Sequence, residues 1–467
     1  MRTVAKRWHL LPYERDGIER LGAALRLPPI VAQLLLNRGL ADPQAARRFL
    51  DAPLNGLHPP EQLPGIAAAA DRLLQAIRDG RRICVYGDYD VDGTTGTSIL
   101  WQALQLLGAT VDFYVPHRLE EGYGLNAEAL QQIAAGGASV VVTVDCGIAA
   151  LAEAEEARRL GLELIITDHH EFKDRLPNAS VVAHPRLPGG SYPFGGLSGA
   201  GVAFKLAWAL CQRFCGGERV TPRFRDFLLD SVALTALGLV ADVVPLHDEN
   251  RIFVRHGLVR LQQAPTPGLK ALLDTAGLGG KETLCADDIS FKLAPRLNAV
   301  GRLGSARLVI ELLTTTSPQR AASLARYLEG QNVQRQVFER RILAKARELV
   351  GDADRDDLPA LVLADAEWHP GIVGIVASRL VDLYARPVLL IALRQDRTES
   401  TSIGHGSGRS VPGFPLHEAL QACGDHLISH GGHAAAAGFK IQPELIDVFR
   451  QRFCAYAAEY FRVQPPV

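Results

Sequence analysis

Asp88-Tyr89-Asp90-Val91-Asp92-Gly93 packs three carboxylates into a short turn directly after the apolar run Ile83–Tyr86. Two further apolar runs end the same way, Ser139–Val144 in Asp145-Cys146-Gly147 and Leu164–Thr167 in Asp168-His169-His170. In an open α/β sheet the carboxyl ends of the strands face one crevice, where ligands bind. Three strand ends that each deliver carboxylate or imidazole therefore imply one site for a hard metal. So dense a group of negative charges repels itself unless cations neutralise it. The chemistry implied is metal-dependent hydrolysis.

Asp90 and Asp92, one residue apart on a glycine-flanked turn, can direct both carboxylates to one side of the strand end. The small residues Gly93-Thr94-Thr95-Gly96 let a substrate or metal approach the backbone and the N-terminus of the helix that follows. Asp145 has two oxygens and can bridge two cations. His169 adds a nitrogen, which among oxygen ligands suits Mn(II) or Mg(II) better than a soft metal. Asp242 sits inside the apolar stretch Val240–Val244, where a carboxylate needs a partner: a metal, or else a helix cap or a salt bridge. His170, beside a ligand but pointing elsewhere, can act as a general acid or stabilise charge on a transferring phosphoryl group. Asp168 can orient one of the imidazoles. Two divalent ions about 3.5–4 Å apart suit an in-line phosphoryl displacement.

The elements that must position these groups alternate at short intervals. Helices are expected over 67–79, 94–107, 126–135 and 149–160, and strands over 82–86, 110–115, 139–144 and 163–167. Alternation of this kind predicts a doubly wound, mainly parallel sheet. The glycine-rich run Gly195–Gly201 then leads into helix-period sequence over 202–211, with more helix over 226–239 and 250–315. Ser317-Pro318 is a helix start, and a long connecting helix follows to Val350. Its arginines and lysine (Arg320, Arg326, Arg335, Arg340, Arg341, Lys345, Arg347) fit either a solvated linker face or a DNA-facing stripe. Asp352–Asp357 breaks the pattern. A smaller α/β unit follows, with strands over 360–364 and 387–392 flanking a helix at 371–384, a strand near 438–441 and a last helix from Pro443. The expected division is a helical segment at 1–65, an α/β domain at 66–315, a linker helix at 316–350 and the smaller domain at 351–467.

Composition narrows the class without deciding it. The chain has 467 residues, 47% hydrophobic and 22% charged, with Lys and Arg (50) matching Asp and Glu (51). Net charge therefore gives no sign of an anionic partner, and any nucleic-acid surface must come from local arrangement. Seven cysteines with no C-x-x-C pair argue against a disulfide framework or a zinc ribbon and for a reducing, cytoplasmic setting. No run reaches the roughly 18 uncharged apolar residues of a membrane span, and no signal peptide is visible.

The ordered motifs Asp88–Gly93, Val144–Gly147, Asp168–His170 and Ala241-Asp242 resemble those of the DHH phosphoesterases. Glu121–Asn126, Ala294–Leu303, Trp368–Ile375 and Gly431–His433 are similar to the bacterial single-stranded-DNA-specific 5′-to-3′ exonucleases of that family. The resemblance runs from about residue 65 to 441. It implies a DHH domain joined by a long helix to a smaller DHH-associated domain, with DNA passing between them. It also implies two Mn(II) or Mg(II) ions on Asp90, Asp92, Asp145, His169 and Asp242, with His170, Asp168 and Asp88 in catalysis. Arg118, Tyr123, Arg296, Asn298, Arg302, Ser407, Arg409 and His433 match positions expected to touch DNA. The alternative for the charged and polar ones is a structural salt bridge or loop hydrogen bond, and for Tyr123 packing instead of base stacking. The activity implied is release of 5′ mononucleotides in recombination and repair. Implied partners are single-stranded DNA with a 5′ end, a single-strand-binding protein and a recombination helicase. Relatives usually continue into an oligonucleotide-binding barrel, for which residues 442–467 are too short, so hydrolysis is expected to persist with weaker hold on long DNA. The competing readings are a phosphodiesterase for short oligonucleotides or cyclic dinucleotides, and a non-catalytic DNA-binding scaffold.

Overall fold

The computed structural model describes residues 8–172, 175–351, 358–395 and 402–464. The expected break at Asp352–Asp357 lies outside the described residues. The chain divides into two compact units, Leu10–Gln331 and one built on Asn332–Val467. No helix of the described residues is long and apolar enough to cross a membrane.

The larger unit is organised by a five-stranded parallel sheet of β1 (Ile83–Gly87), β2 (Val111–Tyr114), β3 (Val140–Val144), β4 (Glu163–Thr167) and β5 (Val181–Ala183), in the order β2-β1-β3-β4-β5. β1 and β3 are buried along their whole length, as a sheet covered by helices on both faces requires. This order reverses direction between β1 and β3, and such a switch point opens a crevice at the strands' carboxyl ends. The aspartate turn follows β1 and Asp145 follows β3, so carboxylates flank that crevice on both sides.

Several elements differ from their expected bounds. The helix after β1 spans Val91–Leu106 with Asp90 as its N-cap, so Asp92 lies in the first helical turn. The helix after the glycine run begins at Gly199, capped by Ser198, and ends at Cys215. The short strand β5 was not expected, because three residues give too little alternation to register.

The second unit has its own five-stranded sheet, in the order β6-β7-β8-β10-β9: β6 (Leu361–Asp365), β7 (Val388–Gln395), β8 (Ser402–Arg409), β9 (Ser429–Gly432) and β10 (Ala436–Ile441). β6 and β7 pair in parallel and the remaining pairs are antiparallel. Its helices include Pro370–Tyr384 and Ile446–Val463. The glycine- and serine-rich run at 404–409 lies in β8, a strand not among those expected. Its glycines are hollows for neighbouring side chains: a Cβ on Gly404 would meet Ile391 at 2.8 Å and Ile441 at 2.9 Å, and one on Gly406 would overlap the Phe439 ring. Packing against Phe439 and the isoleucines thus outweighs the poor strand propensity of glycine.

The long helix runs Pro318–Val350. Many of its charges are paired within their own unit, Arg320 with Glu311 at 2.6 Å, Arg335 with Glu339 at 2.8 Å and Lys345 with Glu348 at 3.1 Å. That pairing favours the linker-face reading over a continuous basic stripe.

The larger unit also holds a buried ion pair between Lys205 and Glu249, both side chains fully enclosed. Lys205 also donates to the His58 carbonyl, and Glu249 accepts from the His58 N–H at 2.8 Å and from the Tyr192 hydroxyl. Removing one partner of such a pair leaves an uncompensated buried charge. Lys205→Met is therefore expected to destabilise the chain by about 3–5 kcal/mol in chemical denaturation. Lys205→Met with Glu249→Leu should recover part of that loss. A double variant no more stable than the single would contradict the assignment.

Candidate metal centre

The sequence dictates the geometry of the first carboxylates through helix capping. Asp90 caps the helix Val91–Leu106, its Oδ1 accepting from the Gly93 N–H at 2.9 Å. Asp92, one turn in, points across to the N-terminus of the helix Gly199–Cys215. There its carboxylate accepts from Ser198 Oγ at 2.7 Å, Gly199 N at 2.6 Å and Ala200 N at 3.1 Å. A helix N-terminus with free N–H groups stabilises a negative charge, so the glycine run Gly195–Gly201 serves as an anchor for Asp92. Sequence reasoning missed this partnership, although Ser198 before a helix-period stretch is a recognisable cap signal.

Asp145 is placed by strain. Its φ is +66°, in the left-handed region. Thr143 Oγ donates to the Cys146 carbonyl at 2.7 Å, and Thr167 Oγ donates to the Thr143 carbonyl at 2.6 Å. These buried hydroxyls tie the ends of β3 and β4 and hold the turn. A Cβ on Gly199 would overlap the Asp145 side chain, so only glycine lets the helix N-terminus come this close.

Three sets of donor atoms gather, each within 4.8 Å: Asp88, Asp90 and Asp145; Asp92, His169 and Asp242; Asp145, His169 and His170. His169 Nε2 lies 3.0 Å from Asp145 Oδ1, 3.6 Å from Asp242 Oδ2 and 3.8 Å from Asp92 Oδ2. Asp242 closes the helix Pro222–Ala241 as its C-terminal cap residue, and Val243 after it has φ +61°. A β-branched residue in that region is strained, and strain of this kind collects at functional sites.

Burial and mutual repulsion push the carboxyls of Asp88, Asp90 and Asp145 above the ordinary carboxylate range, and that of Asp242 up to about 8. Asp88 Oδ1, Asp145 Oδ1 and His169 Nε2 are buried without a hydrogen-bond partner. Orphaned oxygens beside an orphaned imidazole nitrogen fit hard divalent cations, whose usual ligands are carboxylates with an occasional histidine.

Asp168 is engaged differently. Its Oδ1 accepts from His169 N at 2.7 Å and from His170 Nδ1 at 2.8 Å, and its Oδ2 accepts from Ile148 N at 2.9 Å. These bonds hold its carboxyl below the ordinary range despite burial. The same carboxylate raises His170 to about 9 against the desolvation that opposes it. The Tyr123 hydroxyl contacts the Asp145 carbonyl at 3.2 Å and His170 Nδ1 at 3.1 Å. Its ring stands edge-on to His170 and Tyr89 and remains about half exposed. Tyr123 therefore reaches the histidine with its hydroxyl instead of lying packed in the core.

The other DNA-contact candidates divide into three groups. Arg118 covers the Tyr89 ring at 4.6 Å, and both Arg118 and Arg302 act electrostatically on Tyr89, placing two guanidinium groups beside the aspartate turn. Arg296 and Asn298 are occupied: Arg296 pairs with Glu329 at 2.5 Å, and Asn298 Oδ1 accepts from Val91 N at 3.2 Å, bracing the turn from behind. In the second unit Ser407 and Arg409 lie on β8 against Gly374, with Arg409 donating to the Gly408 carbonyl at 2.7 Å. His433 lies exposed in the turn between β9 and β10.

Residues 82–234 match the DHH family, N-terminal domain, and residues 357–459 match the DHHA1 domain. The chain is 42% identical to the single-stranded-DNA-specific exonuclease RecJ of Bacillus subtilis over 446 residues, covering 96% of this chain and 54% of that relative. It is 38% identical to the RecJ exonuclease of Escherichia coli, covering 96% of this chain and 78% of the relative. The crystal structure of RecJ from Thermus thermophilus in complex with Mn2+ superposes with a TM-score of 0.81 at 36% identity, covering 96% of this chain and 62% of that one. The chain thus spans about half the length of the Bacillus relative.

The raised carboxyls give a signed pH prediction for the metal-free chain. A carboxyl whose folded pKa exceeds its unfolded value stabilises the fold fully below the unfolded value, here 3.8, and loses that contribution as pH rises toward the folded value, about 8 for Asp242. The metal-free unfolding temperature should therefore fall between about pH 5 and about pH 8, and Mn(II) should raise it more at about pH 8 than at about pH 6. Thermal unfolding with and without Mn(II) measures this; a Mn(II) increment independent of pH would contradict the cluster as the binding site.

Proposed function

The chain belongs to the RecJ family of DHH phosphoesterases, and we propose that it hydrolyses single-stranded DNA from the 5′ end, releasing 5′ mononucleotides with divalent metal. The observation that carries this reading is the convergence of Asp88, Asp90, Asp92, Asp145, His169 and Asp242 at the strand ends, with buried donor atoms left unpartnered. Asp90, Asp92, Asp145, His169 and Asp242 would hold two Mn(II) or Mg(II) ions, which supply Lewis acidity and charge neutralisation at the reacting phosphodiester.

The chain's own groups do the rest. His170, whose Nδ1 bonds Asp168 and whose pKa that carboxylate raises to about 9 in the metal-free chain, is assigned as a proton donor toward a phosphoryl oxygen or the leaving oxygen. Asp168 keeps that imidazole in one orientation through the 2.8 Å contact at Nδ1, the usual service of a carboxylate behind a working histidine. Asp88, whose donor oxygen lies within 4.8 Å of those of Asp90 and Asp145, is assigned to catalysis as a further carboxylate at the same strand end. Tyr123 restrains His170 from the solvent side. Arg118 and Arg302 beside Tyr89 engage the DNA backbone, since guanidinium binds phosphate oxygens bidentately. In the DHHA1 unit Ser407, Arg409 and His433 are assigned to phosphate contact. Arg296 and Asn298 are assigned to support, because each is already bonded within its own unit. We place the enzyme in the cytoplasm, in recombination and repair, with single-strand-binding protein and a recombination helicase as partners.

Mn(II)-dependent digestion of 5′-labelled single strands, duplexes and dinucleotides tests the substrate. Labelled mononucleotide from long single strands, with duplex untouched, is expected. Cleavage confined to dinucleotides would replace the exonuclease reading with a short-substrate phosphodiesterase. Asp145→Asn, chosen because asparagine tolerates the left-handed backbone, should lower kcat by at least about a thousandfold, a loss typical of a key active-site group. Its metal-free unfolding temperature should not fall, since one repelling carboxylate is gone. Retained activity in that variant would overturn the metal assignment.

A further inference from the structure

Asp168 holds the N–H groups of both site histidines and the His170 imidazole, but the carbonyls of the pair are held from a different place. The segment leaving the edge strand β5 carries His184 and Arg186. His184 is fully buried. Its Nδ1 accepts from the Arg186 N–H at 3.0 Å, which places the imidazole proton on Nε2. That Nε2–H faces the His170 carbonyl at 2.9 Å. Arg186 Nη2 donates to the carbonyl of the adjacent residue, His169, at 2.8 Å. Two consecutive carbonyls of the pair are thus gripped by two side chains of one short segment.

That segment is itself anchored on several sides. Thr167 and Ala183 pair in register between β4 and β5, and the His184 N–H donates to the Pro64 carbonyl at 3.2 Å. The Phe172 ring stands edge-on to His184 at 5.0 Å. The aliphatic stem of Arg186 rests on Gly195, where an added Cβ would meet Cγ at 2.8 Å. Gly195 opens the run Gly195–Gly201, which contains Ser198, the donor to Asp92. One arginine therefore touches both the histidine pair and the loop that fixes an aspartate of the same site.

We propose that His184 and Arg186 are positioning residues, a backbone clamp that sets the direction of the His169 and His170 imidazoles. Neither side chain is placed on substrate or metal; both act through the carbonyls they bind. A peptide plane freed of its donor can rotate, and rotation at residues 169 and 170 swings both rings out of line with Asp145 and Asp168. Outer partners of this kind typically change metal affinity or activity by about 10–100-fold when removed. The inference rests on the hydrolase reading for its kinetic part only.

Two conservative variants separate the clamp from a general packing role. His184→Gln places an amide nitrogen where Nε2 stood and keeps the donor to His170; His184→Asn keeps an acceptor for the Arg186 N–H and loses that donor. On the full chain with saturating Mn(II) and single-stranded DNA, His184→Asn should lower kcat by about 10–100-fold with KM changed by less than about twofold, and His184→Gln should stay within about threefold of the parent. In the metal-free chain labelled with 15N-histidine, His184 should show the neutral Nε2–H form. There His184→Asn should displace the imidazole signals of His169 and His170, while His184→Gln should leave them in place. Equal behaviour of the two variants in kcat and in the spectra would overturn the clamp, as would a kcat loss that follows a lowered unfolding temperature. If the parent chain hydrolyses nothing, the exonuclease reading fails by itself, and the spectra still decide the clamp.

Discussion

Like-charge repulsion among buried carboxylates is the constraint around which the larger unit is built. Two unit charges about 4 Å apart repel by roughly 4 kcal/mol at the effective dielectric of a protein site. Asp88, Asp90, Asp92, Asp145 and Asp242 lie within that range of one another in several pairings. Without compensation, burial first and this repulsion second leave the cluster holding protons, which is what the raised carboxyls of Asp88, Asp90, Asp145 and Asp242 express. Divalent cations remove the conflict while leaving the carboxylates ionised.

The rest of the architecture distributes the load. Strand order β2-β1-β3-β4-β5 brings the ends of β1 and β3 together at the reversal point. One helix N-terminus receives Asp92, and backbone N–H groups receive Asp168. Left-handed backbone at Asp145 and Val243 aims the carboxylates of Asp145 and Asp242, and the Thr143 and Thr167 hydroxyls hold the first of these turns. His170 bonds Asp168 while His169 faces Asp145, so two adjacent histidines with the same chemistry have different carboxylate partners.

Much of this was legible in the sequence because it depends on local order. Apolar runs that stop at Asp88, Asp145 and Asp168 are strand ends, and strand ends of a parallel sheet share a crevice. The anchoring of Asp92 by Ser198, Gly199 and Ala200 was not legible as a contact, since it joins residues more than a hundred positions apart. The contacts of Arg296 with Glu329 and of Asn298 with Val91 N were likewise not legible, because a motif marks a residue as constrained without naming what it touches. β8 was not among the expected strands because its glycines carry no strand signal, while Phe439, Ile391 and Ile441 fill the space that side chains would take.

The most direct test of the account is to count metal. Electron paramagnetic resonance of the chain titrated with Mn(II) reports free ions and bound ions, and spin coupling reports whether bound ions are neighbours. The account predicts two Mn(II) per chain, coupled to one another, with the coupled signal lost in the Asp145→Asn variant. A single isolated Mn(II), or two that show no coupling, would contradict the shared carboxylate centre on which the rest depends.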